Sequence, residues 1–243
     1  MPNPLQWRSP AGRIDGDRVM LRPRRQARVH LGCGDVRLKG YLNVDYPPEQ
    51  GVASGTSRPD LEADVARLDA PPGSIAEVRL HHLFEHFERA NALALLVRWY
   101  DWLAPGGRLD VETPDFDGCI AGFESRDLTD QSLILRHIFG SQEAPWAQHY
   151  DGWSRTRFAA ILPRLGYEEL TFELGHSDPR GLLANVRCHA RKPAVAMSRD
   201  ERVNAAREIL RWSMNGDNPT ERGLLARWEA RFEEALVPPA ARS

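Results

Sequence analysis

The chain has 243 residues, 42% hydrophobic and 27% charged, which is ordinary globular chemistry with length for one domain plus appendages. Its formal charge of −2 gives no global pull toward nucleic acid or anionic lipid. Three scattered cysteines argue against a disulfide framework or a zinc knuckle, "MPNPLQWRSPAGRIDG" lacks the apolar heart of a signal peptide, and no run nears the roughly 18 apolar residues of a membrane span; a soluble, cytoplasmic protein is expected.

In chain order, residues 1–27 are rich in proline, glycine and arginine and read as an arm with one short strand at "DRVMLRP". Residues 28–193 alternate strand-like and helix-like segments. Strands are predicted at "ARVHLGC", "GYLNVDY", "AEVRLHH", "GGRLDVETP", "YEELTFEL" and "LLANVRCHARK". The segment "RANALALLVRWYDWLAPGG" carries apolar residues at helical spacing and should stop at Pro105-Gly106-Gly107. In "SRTRFAAILPRLG", Ser154 can cap the start of a helix and Gly166 its end, with Pro163 kinking it or marking its last turn. Strands separated by helices imply an α/β fold with a mostly parallel sheet and right-handed crossovers. The last two strands, close together around Gly175, Asp178, Pro179 and Gly181, should form an antiparallel hairpin at one edge. Residues 194–243 read as two amphipathic helices, each opened by a Ser or Thr cap and parted by "GDNP". This helical extension could pack on the core, cover a pocket, or join a second copy in a homodimer.

Chemistry concentrates at "RVHLGCGDVRLKGYLNVD". In an open parallel sheet, ligands bind beyond the carboxyl ends of the strands, and glycine there admits a ligand against bare backbone. Gly32 and Gly34 fit that role, although a G-x-G also serves as a plain strand-exit turn. A third glycine is missing where a dinucleotide pyrophosphate would need it, which disfavours nicotinamide and flavin cofactors. Asp45 ends the next strand, where a carboxylate can accept from both hydroxyls of a ribose. Together these features suggest a nucleoside-bearing cofactor without a pyrophosphate.

This stretch resembles motifs I and II of the class I S-adenosylmethionine-dependent methyltransferases, in the subgroup with an abbreviated first helix and an "LGCG…GY-N-VD" pattern. The likeness continues through "LEADVARLDAPPGSIAEVRLHHLFEHF", "LAPGGRLDVETPDF" and "FGSQEAPWAQHYDGWSRTRFAAILPRLGYEEL". It implies a Rossmann-like, doubly wound sheet and S-adenosyl-L-methionine as cofactor. It implies that Gly32, Cys33 and Gly34 pass the methionine moiety and that Asp45 binds the ribose. Asp64 would accept from the adenine amino group, with Val65 and Leu68 flanking the ring. His81 and His82 would line the methyl-transfer site.

Three histidines and a glutamate in "HHLFEHF" invite a metal reading, and His82 and His86 have the i, i+4 spacing of a zinc pair. Glu85, however, lies beside the second histidine instead of the first, and no metal is expected. A hydroxyl acceptor would need proton removal, for which His149 is the leading base, matching with Gly140 and Gln142 a "G-x-Q…H" pattern of the subgroup; His82 and Asp115 come next. The segment "RHIFGSQEAPWAQHYDGWS" mixes aromatics, amides and histidines as a sugar pocket would, with Gln142, Tyr150 and Trp153 as acceptor contacts. The resulting expectation is O-methylation of a saccharide or glycosylated metabolite. N- or C-methylation of a small natural product and a cofactor-free interaction module stay open beside it. A nucleic-acid substrate is not expected, because "TPDF" lacks the Asn/Asp-Pro-Pro-aromatic signature of base methylation and no basic patch is concentrated.

Overall fold

A computed structural model of the chain describes residues 7–15, 18–23, 26–46 and 58–237. Strands β1 (Trp7–Asp15), β2 (Arg18–Pro23), β3 (Ala27–Leu31), β4 (Leu42–Asp45) and β5 (Leu61–Glu62) lead to the short β6 (Leu68–Asp69). Then come β7 (Ile75–His81), α1 (Arg89–Trp102), β8 (Leu103–Pro114), α2 (Phe116–Ile120), α3 (Leu128–Phe139) and α4 (Arg155–Ile161). The chain closes with β9 (Glu168–His176), β10 (Ala184–Arg191), α5 (Arg199–Arg211) and α6 (Pro219–Leu236).

Seven strands form the main sheet in the order β5-β4-β3-β7-β8-β10-β9. All neighbours pair in parallel until β10, which runs antiparallel to both β8 and β9, so the sheet is Rossmann-like with the expected hairpin at one edge. Strand order reverses direction at β3, and the crevice beyond β3 and β4 is the place where such sheets bind ligands. A second sheet of three strands, β1-β2-β6, was not expected. It arises because "DRVMLRP" pairs in parallel with Leu68 and Asp69 as well as with its hairpin neighbour.

The two faces of the main sheet differ. On one face Val29 and Leu31, Val78 and Leu80, Leu109 and Val111, Val186 and Cys188 are fully or almost fully buried. Helix α1 packs there and is apolar nearly all round, with Ala94, Leu96, Trp99, Tyr100 and Trp102 in the core, because it lies between the sheet and the C-terminal pair α5 and α6. Alternation sends the intervening residues to the other face, where they are charged. Arg28 and Arg108 flank Glu77 there, at 3.9 and 3.1 Å. The wholly buried Asp110 takes Arg187 at 2.7 Å, Arg79 at 3.4 Å and His189 at 3.4 Å. Desolvation alone would raise the Asp110 carboxyl pKa, but the Arg187 hydrogen bonds and the imidazoles beside it outweigh that and hold it well below the usual range. His30, buried on the same face, is lowered to about 4 by desolvation.

Right-handed crossovers explain the asymmetry. The chain steps one way from β3 to β4 and the other way from β7 to β8, so crossover helices for the two steps would lie on opposite faces. Helix α1 serves the second step. The first link, residues 32–41, contains no helix.

Two boundaries moved. Helix α1 stops at Trp102 instead of at the Pro-Gly-Gly, since Leu103 already pairs with Ile75, and β8 carries Pro105-Gly106-Gly107 within it, with Gly106 at φ +75°. Helix α6 is opened by Asn218, whose side chain accepts the Glu221 N–H at 3.0 Å, and not by a Ser or Thr. Pro219 is preorganised for the first helical position and leaves Thr220 inside the first turn. Elsewhere Ser154 caps α4, Ser198 and Glu201 form a capping box on α5, and Pro163 ends α4 in a 3₁₀ turn that Gly166 closes at φ +83°. The apolar stripes of α5 and α6 (Ala206, Ile209, Leu210, Phe232, Leu236) belong to the main core. Arg202, 2% exposed, lies over the Tyr100 ring at 4.1 Å and pairs with Asp101. Among the described residues no helix is long and apolar enough to cross a membrane.

Candidate functional site

A crevice of about 490 Å³, within the usual size of a small-ligand pocket, opens beyond the ends of β3, β4 and β7. The structure brings six of the residues expected around a cofactor to its walls: Gly32, Gly34, Asp45, Asp64, Val65 and His82. Tyr150, expected at the acceptor, lies at the same crevice and is half exposed.

Gly32 follows directly on β3 at φ +61°, and a Cβ placed there would meet the Leu83 side chain at 2.9 Å. The position therefore needs glycine for conformation and for room at once. Gly34, at φ +50°, donates its N–H to Asp45 Oδ2 at 2.6 Å, and the Tyr46 N–H reaches Oδ1 at 2.8 Å. A carboxylate offers about four acceptor directions, so two outer ones can still take a pair of hydroxyls. Burial raises the Asp45 pKa above the ordinary carboxylate value, against the lowering effect of those two backbone donors. Asp64 caps the 3₁₀ turn Val65–Arg67 by accepting the Ala66 N–H at 2.9 Å, with Arg67 at 3.5 Å. Its acid thus aims Val65 into the crevice. Burial and the Asp64 carboxylate push the Tyr46 hydroxyl up to about 12, so the phenol stays protonated beside the pocket.

His82 sits just past β7 at φ +50°, an uncommon conformation for a side-chain-bearing residue. Its Nδ1 lies 3.3 Å from Glu85 and its Nε2 3.6 Å from Glu112. Desolvation opposes charge on the imidazole, yet the bonds to Glu112 and Glu85 prevail and raise it to about 10. His82 is therefore an imidazolium at neutral pH, with no capacity to accept a proton.

Other expected residues lie elsewhere. His81, the last residue of β7, faces the charged side of the sheet, 3.5 Å from Glu112 and 3.7 Å from Asp110, and does not line the crevice. Leu68 is wholly buried in β6, and Cys33 is 3% exposed and does not line the crevice. Trp153 is no acceptor contact: it is 1% exposed and wedged between Phe84 (ring centroids 4.6 Å apart) and Phe158 (4.9 Å). Asp115 starts α2 with its carboxylate over Gly118, away from the crevice walls. Gln142 has an exposed side chain, and its N–H closes a turn onto the Ala147 carbonyl at 3.2 Å.

His149 stands beside a second cavity of about 350 Å³, which also contains Arg136, His137 and Ser141 and shares His86 and Trp146 with the crevice. Desolvation lowers the His149 pKa, partly countered by Glu85, so this imidazole is neutral at neutral pH. Sequence reasoning missed Tyr46, Leu83, His86, Phe87, Pro145 and Trp146 as walls of the crevice. Phe87 and Leu83 had a signal, since they belong to the same "HHLFEHF" turn that supplies His82. Trp146 had none, because only loop closure brings it there.

No protein-family model and no curated protein matches the chain. Solved structures do match, at low identity. One is a possible exported protein from Bordetella parapertussis, 21% identical, with 70% of this chain and 63% of that chain covered and a TM-score of 0.44. Another is the 1,6-didemethyltoxoflavin-N1-methyltransferase of Burkholderia thailandensis, solved with S-adenosylhomocysteine: 16% identity, 70% and 72% coverage, TM-score 0.46. A third is a SAM-dependent methyltransferase from Methanosarcina mazei, 10% identical over 70% of this chain and 94% of that one, TM-score 0.47.

Proposed function

We propose that the chain is a class I S-adenosylmethionine-dependent methyltransferase acting on an oxygen of a saccharide or glycosylated small molecule. The observation that carries the cofactor reading is the Asp45 carboxylate, held at a strand tip by the Gly34 and Tyr46 N–H groups beside the bare backbone of Gly32. That cradle suits a ribose diol next to an amino-acid tail, and Val65, Leu83 and Phe87 supply apolar walls for a base. When bound, S-adenosylmethionine supplies an electrophilic methyl group on a sulfonium.

The protein's own share is positioning and exclusion of water. The His82 imidazolium, with both N–H groups turned to Glu112 and Glu85, places a fixed positive charge at the crevice wall. His149, neutral and beside the second cavity, is the group able to take a proton from an acceptor hydroxyl. Arg136, His137, Ser141 and the Trp146 indole give that cavity the mixture of donors and flat apolar surface that a hydroxylated ring needs. Calorimetric titration with S-adenosylhomocysteine tests the cofactor reading: micromolar binding, lost in Asp45→Ala, is expected, and no heat from the folded protein refutes it. Methyl incorporation across a panel of sugars, phenols and amines then tests the acceptor class, and transfer to amines alone refutes the oxygen.

A further inference from the structure

Glu85 occupies an expensive position. It is 2% exposed, and neither carboxylate oxygen makes a well-formed hydrogen bond to protein. The ion pair with His82 Nδ1 at 3.3 Å engages Oε1. The His82 imidazolium answers this charge from the Oε1 side, and Oε2 has no hydrogen-bond partner among the described residues, a costly state for a buried oxygen. What surrounds it is a pair of imidazoles: Glu85, His86 and His149 each offer a ligand atom, and all three atoms lie within 4.8 Å of one another.

Both imidazoles are oriented from behind. His86 Nδ1 lies 3.0 Å from the Gln148 carbonyl and His149 Nδ1 lies 3.1 Å from the Ile138 carbonyl. A carbonyl only accepts, so Nδ1 is the protonated nitrogen of each ring, and in the neutral tautomer this fixes, the lone pair is on Nε2. A backbone carbonyl on the distal ring nitrogen is the support that metal-binding histidines ordinarily have. The two rings stand edge to face with centroids 4.6 Å apart.

The loop bearing His149 is also pinned to the turn bearing Glu85. The Tyr150 N–H donates to the Glu85 carbonyl at 2.8 Å, and the His149 N–H donates to Phe139 at 3.2 Å. Gly140 permits this closure: its φ is +83°, and a Cβ there would stand 2.1 Å from the Ala147 oxygen. The loop is thus fitted to bring one imidazole to a buried carboxylate across a long stretch of sequence.

We infer that Glu85, His86 and His149 form a binding site for a divalent first-row transition ion, at the wall between the cofactor crevice and the second cavity. Two imidazoles and one carboxylate on one side of an ion suit Zn²⁺, Mn²⁺, Fe²⁺ or Co²⁺ and leave positions open for an external donor. Ligand atoms around such an ion stand about 3.4 Å apart in a tetrahedron with bonds near 2.1 Å, so side-chain rotations closing the cluster by up to about 1.4 Å are required. His86 lines the crevice and the second cavity alike, and His149 lines the second cavity. An open position on the ion would border the space assigned above to an oxygen-bearing acceptor, with His149 Nε2 then a ligand and the base role proposed above confined to the ion-free chain; that part of the inference rests on the methyltransferase reading. The ion site itself does not.

The test uses the full chain, stripped with chelator, and titrates Zn²⁺, Mn²⁺ and Co²⁺ separately by calorimetry, with the ligand-field absorption of Co²⁺ as a second readout. One ion per chain is expected for at least one metal. Affinity should fall at least about tenfold in both Glu85→Gln and His149→Ala and stay unchanged in His176→Ala, on the exposed end of β9. Glu85 is buried and its variant can fail to fold; His149→Ala, on a loop, then decides alone, with circular dichroism checking the fold. No stoichiometric binding of any of the three ions, or wild-type affinity in folded His149→Ala, overturns the site. A parallel titration of metal-free protein with S-adenosylhomocysteine separates the two claims. Nucleoside binding without ion binding removes the metal site alone, and ion binding without nucleoside binding removes the cofactor reading alone.

Discussion

Replacing Asp45 by asparagine probes the cofactor cradle with the least change in shape. In the native protein both carboxylate oxygens take backbone donors, Gly34 N–H at 2.6 Å and Tyr46 N–H at 2.8 Å. An amide has one oxygen, so in either orientation its NH₂ faces one of those donors. Hydrogen bonds to a charged acceptor contribute about 1.5–3 kcal/mol each, and the variant loses one outright and the charge on the other. Burial already disfavours the Asp45 charge, which returns part of that loss. A net destabilisation of about 1–2 kcal/mol follows, a drop in Tm of about 2–8 °C for a chain of this size. On the ligand side, one charged hydrogen bond to the ribose disappears, weakening S-adenosylhomocysteine about 10- to 150-fold. Scanning calorimetry reads the first effect and titration calorimetry, well below both melting temperatures, reads the second. A lowered Tm with wild-type affinity would show that Asp45 only braces the turn between β3 and β4. The ribose assignment would then fail.

Three further outcomes are expected. Because burial raises the Asp45 pKa, nucleoside affinity should begin to fall at milder acidity than an exposed aspartate would require, as the acceptor protonates; the same raised value means this group favours the ligand-free fold below its folded pKa and loses that contribution as pH rises through it, and affinity that stays flat until acid unfolding would contradict the assignment. Arg187→Met should cost about 3 kcal/mol, the low end for a broken buried pair because Arg79 and His189 stay at 3.4 Å from Asp110, and Asp110→Leu in that background should recover much of the lost Tm. Gly140→Ala combines a positive φ with a backbone clash and should lower stability by at least about 2 kcal/mol in a thermal melt; a Tm within 1 °C or so of wild type would mean the 140–150 loop closes differently.

What could be read from the sequence depended on how local its cause was. Apolar and polar residues alternate over residues 78–81, 108–112 and 184–191, and α1 is one long apolar run, so the strands, the helix between β7 and β8 and the antiparallel edge hairpin could be inferred. The β2–β6 pairing could not, since it joins Val19 and Met20 to Leu68 and Asp69 across most of β3 to β5. Helix α3 had an Asp127 cap and a Gly140 stop, but only Ile134 and Ile138 are buried, too thin a stripe to stand out among its polar residues. At the site, Gly32, Gly34 and Asp45 were legible because a turn's geometry is local. His81 and His82 were not separable from the sequence, because it is the left-handed turn at His82, just past β7, that brings His82 and not His81 to the crevice. Glu85 and His149 meet only through loop closure, and no spacing rule on "HHLFEHF" reveals a ligand supplied from elsewhere in the chain.

The ionic face of the main sheet constrains how this scaffold could be rebuilt. Grafting a full helix between β3 and β4 would lay hydrocarbon over His30, Arg79, Asp110 and Arg187, on four different strands. Exchanging any one of them first would strand its partners' charge under the new roof, so a designer would have to rewrite all four in a single step. Sequences bearing the short link and the longer crossover are in that sense separated by a valley that point substitutions cannot cross one at a time.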